Sequence, residues 1–99
     1  MKVARISVEA EADIDLIAAY TTHSWGWRQT DRYLAKLEDC FDLLAENPAI
    51  GRNCARLLPG LRRFEVGKHV IFYQPEATGV FVMRVLHQQM IPGKSHFEP

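Results

Sequence analysis

The chain has 99 residues, of which 47% are hydrophobic and 24% charged, with acids and bases in equal number. A chain of this size forms one domain and buries roughly 60–70% of its unfolded surface, enough for a two-layer core without a metal or disulfide. Composition places it among soluble globular proteins, and no apolar run approaches the roughly 18 residues that a membrane span requires.

Val3, Arg5 and Ser7 alternate with Ala4, Ile6 and Val8 from the first residues onward, which predicts a short strand and leaves no room for a signal-peptide core. A cytoplasmic, unprocessed protein is the simplest expectation. From Glu9 to about Trp25, Ala10, Ile14, Ile17, Ala18 and Thr21 share one helical face, with Leu16 and Tyr20 as a flanking stripe that could widen it. Acids at Glu9, Glu11, Asp13 and Asp15 crowd the start of this helix, where the backbone dipole favours negative charge. They read as stabilisers rather than catalysts.

Ser24-Trp25-Gly26-Trp27 breaks the pattern, with Gly26 ending the first helix and the tryptophans expected to staple the turn. A second helix from Trp27 to about Glu46 presents Tyr33, Leu34, Leu37, Cys40, Phe41 and Leu44, and Asn47-Pro48 stops it. The tight connection predicts an antiparallel helix hairpin. Tyr20, Tyr33 and Phe72 are assigned to the core. Cys40 falls on the second helix stripe and Cys54 in a loop, and both are expected to be reduced.

Residues 49–58 have neither helical nor strand period, and Gly51-Arg52-Asn53 reads as a loop carrying arginines toward a sheet edge. Three alternating runs follow, Leu61 to Val66, His69 to Gln74 and Val80 to Leu86, parted by glycine-containing breaks. They predict an antiparallel meander. In the last strand Phe81, Met83 and Val85 are expected to meet the helices, which turns Arg84 to the opposite face, either functional there or satisfied by a carboxylate such as Glu65. The tail from Ile91 to Pro99 either moves freely or lies along the sheet. The whole is an α+β fold with the helix hairpin on one sheet face and the other face left for a ligand.

Charge is unevenly divided. Residues 1–50 carry nine acids against five bases, and residues 51–99 seven bases against three acids. The strand half is therefore cationic and should steer an acidic partner toward the sheet. Chemistry-bearing motifs are few: there is no phosphate-binding glycine loop, no Cys-x-x-Cys, no His-Glu-x-x-His and no serine elbow. No cofactor or metal is expected. Metal-free phosphodiester cleavage by His69, His87, His96, Tyr73 and the sheet arginines stays formally open.

A resemblance ties these pieces together. Ala12-Asp13-Ile14, Ile17 and Tyr20, then Tyr33, Leu37, Phe41 and Leu44-Ala45, then Pro48, Gly51-Arg52, Gly60-Leu61-Arg62, Val70-Ile71-Phe72-Tyr73 and Arg84-Val85-Leu86-His87 resemble the ParE/RelE toxin superfamily of bacterial type II toxin–antitoxin modules, closest to its ParE branch. The match runs through nearly the whole chain and implies one toxin domain over residues 1–99, ordered β-α-α-β-β-β. It implies poisoning of DNA gyrase without enzymatic chemistry, and neutralisation by an antitoxin encoded beside the toxin. The RelE branch implies instead cleavage of messenger RNA on the ribosome. Arg52, Arg56, Arg62 and Arg84 are the expected contacts for an acidic, amphipathic antitoxin segment. Arg84, His87, Met90 and Lys94 are expected to touch the target, with no direct nucleic-acid specificity and no membrane contact.

Overall fold

In the computed structural model, which describes residues 1–98, the chain forms strand β1 (Val3–Ile6), helix α1 (Val8–Trp25), helix α2 (Trp27–Glu46), strands β2 (Arg52–Asn53), β3 (Arg62–Val66), β4 (His69–Glu76) and β5 (Gly79–His87), and a 3-10 turn over Lys94–Phe97. The sheet order is β1-β5-β4-β3-β2. The meander β3–β4–β5 is antiparallel as expected, and the sheet as a whole is mixed because β1 lies parallel to β5, with Val3 opposite Gly79 and Ile6 opposite Val82. A parallel pair needs a long crossover, and the helix hairpin is part of it.

Local chemistry fixes the helix boundaries. Ser7 caps α1, its hydroxyl accepting the Ala10 N–H at 2.9 Å while donating to the Met83 carbonyl at 2.7 Å. One side chain thus starts the helix and ties it to β5. Gly26 has φ +90°, a conformation open mainly to glycine, and reverses the chain between the helices. The Thr22 and Thr30 hydroxyls bond across the turn at 2.7 Å. At the end of α2 the Asn47 N–H reaches back to Leu43 and Leu44 before Pro48.

The main core lies between the helices and one sheet face, where Ala10, Ile17, Leu37, Phe41, Leu44 and Ala45 meet Ile71, Tyr73, Val80, Val82 and Val85. The hydroxyl of Tyr73 donates to the Pro48 carbonyl at 2.8 Å and accepts the Gly51 N–H at 2.9 Å. This buried phenol therefore anchors the loop that leaves α2.

Two expectations about the sheet faces are corrected. Phe72 pairs with Arg84 and Tyr73 with Val82, so Met83 is an extra residue in a β-bulge. A bulge reverses the alternation beyond it, and Val80, Val82 and Val85 face the helices instead of Phe81, Met83 and Val85. The far face, moreover, is not left free. Cys54, Leu57, Leu61, Val70, Phe72, Leu86 and Phe97 form a second core there, covered by the loop after β2 and by the tail. Phe97 is 6% exposed and stacks edge-on against Phe72 with ring centres 5.3 Å apart. The end of the chain thus lies along the sheet, while Pro99 falls outside the described residues.

Candidate functional site

β1 stops opposite Val82, so β5 from Met83 onward has no strand on that side. α1 crosses this open edge and supplies the missing partner: the Asp13 carboxylate accepts the Val85 N–H at 2.9 Å. The same carboxylate receives Arg84 through two bonds, Nε at 2.7 Å and the terminal nitrogen at 2.8 Å. This forked pairing matches guanidinium to carboxylate and raises the arginine pKa above its ordinary value, chiefly through the hydrogen bond to Asp13. Arg84 also donates to the His96 carbonyl at 3.3 Å. The carboxylate partner is therefore Asp13 of the first helix rather than Glu65, and the arginine stands at the sheet edge between α1 and the tail.

Past this ion pair, a groove of about 1030 Å³ runs between α1, the start of α2 and the outer ends of β4 and β5. Its α1 wall is apolar and uncovered. Leu16 is 71% exposed, Tyr20 70% and Trp25 72%, and Met90 adds a further half-exposed apolar side chain from beyond β5. The assignment of Tyr20 to the core is thus corrected, as is the stapling role of the tryptophans, since Trp27 is also 62% exposed. The cause is geometric: Ala10, Asp13 and Ile17 already fill the contact between α1 and the sheet, so the neighbouring stripe at Leu16 and Tyr20 faces outward.

The polar end of the groove is built from Tyr33, His69 and His87. His69 and His87 are directly opposite in the β4–β5 ladder, with ring centres 5.4 Å apart. The Tyr33 hydroxyl donates to the Val66 carbonyl at 3.0 Å and lies 2.6 Å from His69 Nδ1. A hydroxyl has one proton; once it is given to Val66, the oxygen accepts from Nδ1–H, and the neutral His69 ring keeps a lone pair on Nε2. In His87 the arrangement is reversed, because Nδ1 accepts the Gln89 N–H at 3.1 Å and the neutral ring carries its proton on Nε2. Burial lowers the His69 pKa, with His87 as a second cause, and burial raises that of Tyr33. With both rings neutral, this end offers one imidazole acceptor and one imidazole donor, and Lys68 lines the same groove.

The expected site residues are spread over the molecule. Arg84, His87 and Met90 line the groove, whereas Lys94 begins the 3-10 turn near Arg84. Arg62 donates to the Gly51 and Ala49 carbonyls at 2.7 and 3.3 Å and so braces a loop. Arg52 pairs with Glu65, and Arg56 is exposed on the loop over the second core. These three lie away from the groove. Leu16 and Lys68, which the sequence does not mark as binding residues, line it, as does Trp25, which the sequence assigns to a stapled turn in preference to an interface. The signal for Leu16 and Trp25 was an α1 carrying apolar residues on more than one face.

A hairpin laid over an antiparallel meander, with the first strand added parallel to the last, is a fold this chain shares with a solved structure from a toxin–antitoxin system. A chain of the chromosomal ParDE toxin–antitoxin system from Pseudomonas aeruginosa superposes with a TM-score of 0.72 at 16% identity, covering 88% of this chain and 96% of that one. Residues 4–92 match the family model described as ParE toxin of type II toxin-antitoxin system, parDE. Toxin ParE1 of Mycobacterium tuberculosis is 40% identical over 86 residues, covering 86% of this chain and 88% of that protein. Toxin ParE1 of Caulobacter vibrioides is 39% identical over 90 residues, or 91% of this chain and 93% of that one. The chain belongs to the ParE toxin family of type II toxin–antitoxin systems.

Proposed function

We propose that this ParE-family toxin acts by protein–protein binding on DNA gyrase, stalling replication, and that a cognate antitoxin neutralises it by occupying the groove along the open edge of β5. The observation that carries this reading is the uncovered apolar wall formed by Leu16, Tyr20 and Trp25 beside Met90. Contiguous apolar surface on a small soluble domain is a mark of an interaction site, and aromatic anchors supply most of the affinity at such sites. An amphipathic segment that folds on binding fits a groove of this length and character, and acidic residues on it would meet Lys68 and the histidine end. Because Arg84, His87 and Met90 line the same groove, an antitoxin seated there would also cover the residues expected to contact the target.

The alternative, a ribosome-dependent RNase of the RelE kind, draws on the Tyr33–His69–His87 cluster. Phosphodiester cleavage needs cations for the developing charge, and at this cluster Arg84 is already neutralised by Asp13, leaving Lys68. That balance favours the binding role. Purified protein added in parallel to a gyrase supercoiling and cleavage-complex assay and to a translating extract with labelled message distinguishes the two. Trapped gyrase on DNA with intact message is expected; cut message with untouched gyrase overturns the reading. For the antitoxin, Leu16→Glu and Tyr20→Glu together should abolish complex formation with the polypeptide encoded beside this gene.

A further inference from the structure

The apolar wall explains how a partner segment could be held, but not why the other end of the groove carries three mutually bonded titratable side chains. The groove is lined by a single carboxylate among the described residues, Asp13, and its oxygens are occupied by Arg84 and by the Val85 N–H. No acid of this chain's groove wall therefore answers Lys68, His69 or His87. From α2, Tyr33 faces His69 as a neutral phenol, since burial raises its pKa, and Cys40 behind it is likewise held neutral by burial. From β5 and the turn after it come His87 and the Gln89 N–H. All the charge available at this end is thus positive or becomes positive on protonation.

Both imidazoles are oriented by their Nδ1 partners. His69 is fixed through the Tyr33 hydroxyl and His87 through the Gln89 N–H. Each ring leaves Nε2 as its unassigned atom. In the neutral pair these two atoms are one acceptor and one donor; gaining a proton on His69 makes both of them donors. Two N–H groups next to an ammonium fit a carboxylate, and an anion brought into a half-buried site stabilises the charged imidazole beside it.

We propose that the antitoxin segment places a carboxylate against the His69–His87 end of the groove, and that complex formation draws a proton onto this pair. The inference rests on the groove being the antitoxin site and adds the chemistry of its polar end. An apolar segment capped by an aspartate or glutamate is the occupant it selects, and binding tightens as the pH falls through the histidine range.

The test is calorimetry of this toxin with the antitoxin encoded beside it, in phosphate and in Tris, at pH 6.5 and pH 8. Because the two buffers differ in ionisation heat, an observed enthalpy that changes with buffer at pH 6.5 measures proton uptake directly. Uptake at pH 6.5, little at pH 8, and affinity greater at the lower pH by about threefold are expected for one pKa unit of coupling, whose roughly tenfold limit is reached only below both pKa values. His87→Gln and His69→Gln should each reduce the uptake, with Lys68→Ala weakening binding at both pH values alike. Tight binding that is indifferent to buffer and pH overturns this inference while leaving the groove assignment intact. Unchanged binding by the Leu16→Glu, Tyr20→Glu variant overturns both.

Discussion

Asp13 and Arg84, 71 residues apart in sequence, are joined by two hydrogen bonds of 2.7 and 2.8 Å while Asp13 also accepts the Val85 N–H. One carboxylate therefore ends the open edge of β5 and fastens α1 to it. The pair is largely buried, with 21% of the Arg84 side chain and 10% of the Asp13 side chain exposed. Removing one partner of such a pair leaves a charge and a backbone donor unmatched. Asp13→Ala is expected to cost about 3–5 kcal/mol in urea unfolding, and Asp13→Asn less, because the amide oxygen keeps one acceptor.

The second core predicts a role for the tail. Phe97 fills the far face against Phe72, so Phe97→Ala should destabilise the domain by about 3 kcal/mol despite lying two residues from the C-terminus. A loss below about 0.5 kcal/mol in chemical denaturation would mean that the tail does not hold this face in solution.

Stability should also depend on pH through His69. Burial lowers its folded pKa below the ordinary value of 6.5, so the unfolded chain binds the proton more readily. The contribution is complete above about pH 6.5 and is lost as the pH falls through the unfolded value toward the folded one. Urea midpoints of the free toxin should therefore drop between pH 7 and pH 5, and His69→Gln should flatten that drop. Partner binding has the opposite sign, because the complex is expected to favour the protonated pair.

Tyr73 offers a separate check on the loop after α2. Tyr73→Phe removes one bond to Pro48 and one from Gly51 at a fully buried site, and about 1–3 kcal/mol of stability should go with them. By contrast, Arg52→Ala breaks an exposed pair with Glu65 and should change stability by less than about 1 kcal/mol.

Sequence periodicity located the helices and the meander to within a residue or two, since Leu37, Phe41 and Leu44 recur at helical spacing and Val70 to Tyr73 are bounded by glycine-containing turns. It failed at Met83 because nothing in Phe81-Val82-Met83-Arg84 marks which residue is extra; the bulge is set by pairing with β4. The far-face core was hidden for a related reason: Cys54, Leu57 and Leu61 have no regular spacing, and only the folded loop brings them to Phe72 and Phe97. At the site, the resemblance pointed to Arg84 and His87, but their partners Asp13 and His69 come from distant elements. The Leu16 and Tyr20 stripe is legible in the sequence but its direction is not, because a helix with apolar residues on two faces does not say which one the sheet takes.

The parallel pairing of β1 with β5 joins the first strand of this fold to its last. Val3 to Ile6 must wait for Gly79 to Val82 to leave the ribosome before the sheet can close. A sheet closed by so distant a pairing cannot be completed in stages from the N-terminal side, and β1 stays unpaired until residues 79–82 have been made.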